Sequence, residues 1–186
     1  ACVMPPCITQ RSNGDLWISS RRSGYNYVYC YVSSDEFVNR SITTFAASNL
    51  TECVIIPHST NIRCLTVESS VLKIYEYTSS WSSATTIASS GVTGGSGYLA
   101  VLKVSDSEIY CAARTTSGIK IWKYTGSWNS GTLLSSSSDD RHPNIAYVDN
   151  QPTCVWSDYG VDPNIVYRRF NGSTWNSQIY LTYDES

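Results

Sequence analysis

An aromatic motif that returns at a fixed interval is the strongest constraint on the fold of this chain. The segment Ile74-Tyr-Glu-Tyr-Thr-Ser-Ser-Trp81 recurs 47 residues later as Ile121-Trp-Lys-Tyr-Thr-Gly-Ser-Trp128. A third copy, Val166-Tyr-Arg-Arg-Phe-Asn-Gly-Ser-Thr-Trp175, keeps the aromatic residue, the turn and the final tryptophan. Regular returns of this kind are the signature of repeat architectures, in which each repeat is one supersecondary unit. The sequence therefore predicts an array of repeats.

Each repeat contains short segments in which apolar and polar residues alternate. The third repeat shows four of them most clearly, at residues 98–104, 108–114, 118–124 and 132–135, with turn residues between them. Alternation with a period of two predicts β-strands, and no segment shows a sustained helical period with caps. We therefore predict four strands in each repeat and no helix.

Four repeats account for all 186 residues, at about 1–46, 47–92, 93–138 and 139–186. A lone four-stranded sheet with two partly apolar faces must stack on neighbours, and units of roughly 40–50 residues with four strands are typical propeller blades. We predict one all-β propeller domain of four blades, closed on itself or assembled from two chains into a larger ring. A two-sheet β-sandwich is the alternative, which the regular returns disfavour. The predicted packing between blades comes from three tryptophans: Trp81, Trp128 and Trp175.

The last repeat carries a more specific pattern. It combines Val-Trp-Ser-Asp at 155–158, Ile-Val-Tyr-Arg-Arg-Phe at 165–170 and a Gly-Ser-Thr-Trp corner at 172–175. These residues resemble the blades of sialidase-like propellers built from bacterial-neuraminidase repeats, although the Asp-box of that family, Ser-x-Asp-x-Gly-x-x-Trp, is missing. A sialidase-like site would need arginines, a tyrosine nucleophile and acidic residues spread over about six blades. From this shortfall we predict no catalytic role.

Composition excludes several other classes of function. The net charge is −2, only 15% of the residues are charged and the arginines are scattered, so the chain lacks the basic surface of a nucleic-acid-binding protein. No apolar run approaches the ~20 residues of a membrane-spanning helix, which predicts no membrane insertion. No Cys/His spacing or glycine-rich loop predicts a metal or a cofactor. A first residue other than Met and the seven cysteines favour a secreted, extracellular protein.

Two kinds of covalent feature are predicted. If residues 58 and 59 form the centre of a hairpin turn, Cys53 and Cys64 face each other across it and are candidates for a disulfide bond. The alternative is that both are small buried residues. Asn-x-Ser/Thr triplets that are candidates for glycosylation begin at Asn39, Asn49 and Asn171.

Binding or assembly at a surface remains as the predicted function. The chain distantly resembles fucose-binding propeller lectins in its short repeats and tryptophan corners, and it places aromatic residues beside Glu76, Lys123 and Arg168. The resemblance implies a glycan as partner. Candidate ligand contacts at the mouth of the last repeat are Arg141, His142, Asp158 and Tyr159. The alternatives are a self-assembling structural subunit of an extracellular filament, surface layer or virion, and a fragment of a sialidase-like glycosidase.

Overall fold

The computed structural model describes residues 6–21, 26–160 and 164–182. These residues form four separate antiparallel sheets, each made of four strands that are neighbours in chain order. The chain divides into two compact units, residues 1–90 with 94–96 and residues 91–93 with 97–186. None of the described residues forms a helix that is long and apolar enough to cross a membrane.

Unit 1 contains the first two sheets. Sheet 1 consists of β1 (Cys7–Gln10), β2 (Leu16–Arg21), β3 (Tyr27–Ser33) and β4 (Ser41–Ala46). Sheet 2 consists of β5 (Leu50–His58), β6 (Asn61–Glu68), β7 (Val71–Tyr77) and β8 (Thr85–Ala88). Both are simple meanders, as expected where short turns join alternating segments.

Unit 2 contains the other two sheets. Sheet 3 consists of β9 (Leu99–Ser105), β10 (Glu108–Thr115), β11 (Gly118–Tyr124) and β12 (Thr132–Leu133). Sheet 4 consists of β13 (Arg141–Val148), β14 (Gln151–Asp158), β15 (Asn164–Arg169) and β16 (Ile179–Tyr180). The four predicted repeats therefore each contain one sheet. The described residues form four sheets rather than the two sheets of the alternative β-sandwich.

The two sheets within each unit pack on one another through alternate residues of their strands. In unit 1, Trp17, Val28 and Cys30 of sheet 1 share a core with Ile55 and Cys64 of sheet 2. In unit 2, residues of both sheets likewise form one apolar cluster: Tyr110, Ala112, Ile119, Ile121, Ile145, Cys154, Trp156 and Val166. Stacking of this kind buries the apolar face that a single sheet leaves open.

The corner tryptophans do not form the most buried part of these cores. They are half-buried, and each forms an isolated bridge with an aromatic residue at or just after the end of its third strand: Trp81 with Tyr77, Trp128 with Tyr124, and Trp175 with Phe170. The tryptophans with at most 2% of their surface exposed lie within the second or third strands: Trp17, Trp122 and Trp156. The repeated corner therefore closes the end of each blade, while other residues fill its centre.

The predicted register, with Cys53 directly opposite Cys64, is wrong, but the two side chains are in hydrogen-bond contact and the disulfide bond between them stays a prediction. Cys53 lies opposite Thr66, and Cys64 lies opposite Ile55, so the two cysteines are diagonal neighbours. The reason is that Pro57 remains in β5, an edge strand where its missing N–H is tolerated, and the chain reverses after His58. Both cysteines are free thiols in the structure.

Candidate functional site

A cavity of about 400 Å³ lies between sheet 3 and sheet 4 in unit 2. A smaller recess of about 230 Å³ adjoins it, and both are lined by Tyr110, Lys123 and Phe170. The larger cavity is also lined by Ile121, Asn129, Thr132, Leu133, Arg168, Ser173, Thr174 and Trp175, and the recess by Glu108 and Asn171 among others. The lining combines aromatic rings with groups that donate or accept hydrogen bonds.

A charged pair stands in this recess. The Nζ atom of Lys123 lies 2.8 Å from Oε1 of Glu108, and the hydroxyl of Tyr110 donates a hydrogen bond of 2.7 Å to the same oxygen. Hydrogen bonds from Lys123 and Tyr110 lower the pKa of Glu108. Burial alone would lower the pKa of Lys123, but its contacts with Glu108 and Tyr110 outweigh burial and raise it. Both groups are therefore held in their charged forms at neutral pH.

Aromatic rings form the wall beside the charged pair. The Phe170 and Trp175 rings are 5.4 Å apart at 46°, and the Tyr110 and Phe170 rings are 6.2 Å apart at 58°. The Nζ atom of Lys123 lies 5.1 Å from the centre of the Tyr110 ring and 5.3 Å from that of Phe170. Burial raises the pKa of Tyr110 to about 12, so its hydroxyl remains a donor at neutral pH.

Arg168 holds this wall in place. Its guanidinium donates hydrogen bonds to the main-chain oxygens of Leu134 at 2.9 Å, Trp175 at 3.3 Å and Asn176. One side chain of sheet 4 thus reaches the end of sheet 3 and fixes the corner that carries Trp175. Because its donors are used in these contacts, Arg168 positions the cavity wall.

The four residues predicted as ligand contacts lie near one another at the start of β13 and the end of β14. The rings of His142 and Tyr159 are 6.0 Å apart, and Cζ of Arg141 lies 5.0 Å from the Tyr159 ring. Tyr98 extends this group, with its ring 5.4 Å from His142. Oδ1 of Asp158 accepts a hydrogen bond of 2.9 Å from the main chain of Gly160. We call Tyr98, Arg141, His142, Asp158 and Tyr159 the rim cluster.

A buried carboxyl group below the rim cluster was not singled out from the sequence. Asp140 is only 1% exposed. Burial raises the pKa of Asp140 to about 6, and the charge of the neighbouring Asp158 adds to this effect. Asp139 is exposed, although both acids stand in the same run of polar residues. Sequence gives no sign of which of the two enters the core.

The other residues named from the sequence lie elsewhere. Glu76 is in unit 1, where Asn61 donates a hydrogen bond of 2.8 Å to it and Nε of Arg63 lies 3.3 Å from its carboxylate. The three glycosylation candidates, Asn39, Asn49 and Asn171, are all exposed. Among the described residues, no group of three or more His, Cys, Asp and Glu side chains is arranged to hold a metal ion.

Comparison with known proteins gives similarity in structure alone. No family model and no curated protein matches the sequence. A mutant of AofleA from Arthrobotrys oligospora matches with a TM-score of 0.68 and 10% identity, covering 96% of this chain and 56% of that one. The GH93 α-L-arabinofuranosidase of Fusarium graminearum in complex with arabinobiose matches with a TM-score of 0.62 and 10% identity, covering 96% and 65%.

An exo-β-1,3-galactanase from Phanerochaete chrysosporium with β-1,3-galactotriose matches with a TM-score of 0.61 and 11% identity, covering 94% of this chain and 49% of that one. The chain thus spans less than two thirds of the length of these proteins. The likeness confirms the all-β propeller fold, and the four four-stranded sheets are its blades. It does not single out sialidase-like repeats.

The comparison also corrects one prediction. We predicted no catalytic role because a sialidase-like site would not fit into four blades. The solved structures that share the fold include several glycosidases, among them the arabinofuranosidase and the galactanase, so the fold is one that carries enzymes. The shortfall of blades against a sialidase-like site therefore gave no ground for excluding catalysis.

Proposed function

We propose that this chain recognises carbohydrate outside the cell and holds it in the cavity between sheet 3 and sheet 4. The observation that carries the proposal is the aromatic wall of a cavity of about 400 Å³ together with the charged pair in the recess that adjoins it. Small-molecule sites usually fall between roughly 300 and 1,000 Å³ and combine aromatic surface with a few convergent polar groups. The extracellular location rests on the low charge and the seven cysteines.

The wall and the charged pair suit the two kinds of surface that a sugar ring presents. The C–H face of a sugar ring is apolar and can pack against Phe170 and Trp175, while its hydroxyl groups both donate and accept hydrogen bonds. Lys123 supplies a donor and Glu108 an acceptor within 2.8 Å of each other, so one pair of adjacent hydroxyls can reach both. Hydrogen bonds to charged groups are roughly twice as strong as neutral ones.

The comparisons support the same class of ligand. Two of the similar structures contain arabinobiose and β-1,3-galactotriose, which are neutral oligosaccharides. Because the identity with this chain is only 10–11%, these ligands are not assigned to it and serve as the first probes.

The proposal is tested with a glycan array that includes both oligosaccharides, followed by titration calorimetry with the strongest binder. We expect Lys123→Met and Phe170→Ala each to weaken binding by about tenfold or more, equivalent to about 1.4 kcal/mol. Lys103→Met is the matched control. Lys103 belongs to the same sheet, but it does not line the cavity, and its Nζ atom lies 2.7 Å from Oδ1 of Asp106. Failure of every glycan to bind, or equal losses for the two lysine variants, would refute the site.

Cleavage of the bound glycan is a second candidate function. It is favoured by the glycosidases that share the fold and by Asp140, because the proton donor of a glycosidase is a carboxyl group whose pKa is raised, as that of Asp140 is to about 6. Incubation of the protein with arabinobiose and with β-1,3-galactotriose, followed by chromatography of the products, tests it. Release of monosaccharide that persists in Asp140→Asn would exclude Asp140 as the proton donor.

A further inference from the structure

The cavity of unit 2 has a counterpart in unit 1, because each unit stacks one four-stranded sheet on the next. The corner tryptophan of the second sheet bridges an aromatic residue in both units, Trp81 with Tyr77 and Trp175 with Phe170. The ring centres are 5.3 Å apart in the first pair and 5.4 Å apart in the second. The two corners are therefore equivalent, and the residues around them can be compared one by one.

An aromatic residue of the preceding sheet lies beside each corner. The ring of Trp17 is 4.9 Å from the aromatic residue that its corner tryptophan bridges, and the ring of Tyr110 is 6.2 Å from the one in unit 2. Trp17 is paired with Val32, and Tyr110 is paired with Lys123. The cation of the charged pair in unit 2 thus has an apolar counterpart in unit 1.

The end of the fourth strand supplies a further pair of equivalent residues. Phe45 lies opposite Val28, and the main-chain N–H of Leu134 donates a hydrogen bond of 2.8 Å to the oxygen of Ile119. Val28 and Ile119 each stand four positions before the residue that is paired with Trp17 or Tyr110. Phe45 and Leu134 therefore occupy equivalent positions, and both are buried.

The space beside the corner tryptophan is filled differently in the two units. In unit 1 the Phe45 ring lies 4.5 Å from the ring of Trp81 and 4.2 Å from that of Tyr75. In unit 2 the aliphatic Leu134 stands in the place of Phe45, and Arg168 stands in the place of Tyr75, two positions before the aromatic residue of the corner. The corner tryptophan of unit 1 is therefore covered by a ring of its own chain, whereas that of unit 2 lines a cavity.

We propose that one sugar ring of the bound carbohydrate packs against Trp175, in the place that the Phe45 ring takes beside Trp81 in unit 1. This inference rests on the proposed function and deepens it, since it says which ring binds and which unit binds it. The C–H groups of a sugar suit the negative face of an indole ring. Lys123 lines the same cavity and can donate to the hydroxyl groups at the edge of the sugar. Between sheet 1 and sheet 2 we expect no ligand, because the chain itself supplies the ring.

Titration calorimetry with arabinobiose, β-1,3-galactotriose and the strongest binder of the glycan array tests the proposal. Leu134→Phe gives unit 2 the ring that unit 1 has, and it should weaken binding by about tenfold or more. Leu134→Met is the matched control, because it keeps the volume and the apolar character without a ring, and it should bind as the parent does. A parent chain that binds no glycan refutes the proposed function and this inference with it. A folded Leu134→Phe that binds as tightly as the parent overturns only the place of the sugar ring.

The indole N–H signals of the ¹⁵N-labelled parent chain test the same placement, whether or not Leu134→Phe folds. The signals of Trp81 and Trp175 are assigned by their loss in Trp81→Phe and Trp175→Phe. Titration with the glycan should shift the signal of Trp175 and leave that of Trp81 in place. An unmoved Trp175 signal at saturation, or an equal shift of Trp81, overturns the inference while glycan binding stands.

Discussion

Replacing Asp140 with asparagine tests whether a buried carboxyl group makes the stability of this protein depend on pH. The substitution keeps the size of the side chain and removes its ability to ionise. Asp140 is 1% exposed, and burial raises its pKa from 3.8 to about 6. Because the folded state favours the protonated form, the native protein should lose stability as the pH rises through this range and then level off.

The size of the effect follows from the pKa. A rise from 3.8 to about 6 corresponds to about 3 kcal/mol of unfolding free energy. Burial of Asp140 is the largest cause of this rise, and the smaller part that comes from the half-buried Asp158 is screened by solvent, so we expect about 2 kcal/mol. Relative to the parent, Asp140→Asn should therefore become more stable by that amount between pH 4 and pH 7.

Urea unfolding of both proteins at several pH values between these limits measures the difference. Asp139→Asn is the control, because this neighbouring side chain is exposed. The difference between Asp139→Asn and the parent should stay nearly constant with pH. An unchanged difference between Asp140→Asn and the parent across the range would refute the reasoning, as would a parent that gains stability relative to the variant when the pH rises.

Two further predictions concern packing. Gly118→Ala should lower the unfolding free energy by about 1–3 kcal/mol more than Gly126→Ala. Both glycines have positive φ, but only at position 118 would a Cβ atom lie 2.3 Å from the main-chain oxygen of Ser135. Equal losses of stability in thermal unfolding would contradict this prediction. Trp156→Ala should cost about 3–5 kcal/mol, since the side chain is 1% exposed, whereas Trp128→Ala at a half-buried corner should cost clearly less. Equal urea midpoints for the two variants would show that the corner contributes as much as the centre of the sheet.

The strands could be predicted from the sequence because their signals are local. The segment 118–124 alternates apolar and polar residues between turn residues, and β11 occupies the same range. The same reasoning gave four strands in every repeat, including the first, which lacks the tryptophan corner. A period of two and the turns that bound it do not depend on what lies on the other side of the sheet.

The register and the site depend on relations that the sequence does not contain. The position of one turn decides which residue lies opposite Cys53: the turn was expected at residues 58 and 59, but His58 still pairs with Asn61. The cavity unites Tyr110 with Phe170, which belong to different repeats and meet only when two sheets stack. Asp140 differs from Asp139 only in burial, next to an irregular pairing between Arg141 and Asn144. None of these relations leaves a periodic signal.

The place of Asn171 has a practical consequence for work with this protein. This residue begins one of the three candidate glycosylation triplets, it is exposed, and it lines the recess that contains Glu108 and Lys123. In a eukaryotic expression host that attached an N-linked chain there, the protein would carry its own sugar beside the cavity in which we expect a foreign one. Material from bacterial and eukaryotic hosts would then differ in binding although the polypeptide is identical. The choice of host is therefore part of the design of any binding experiment.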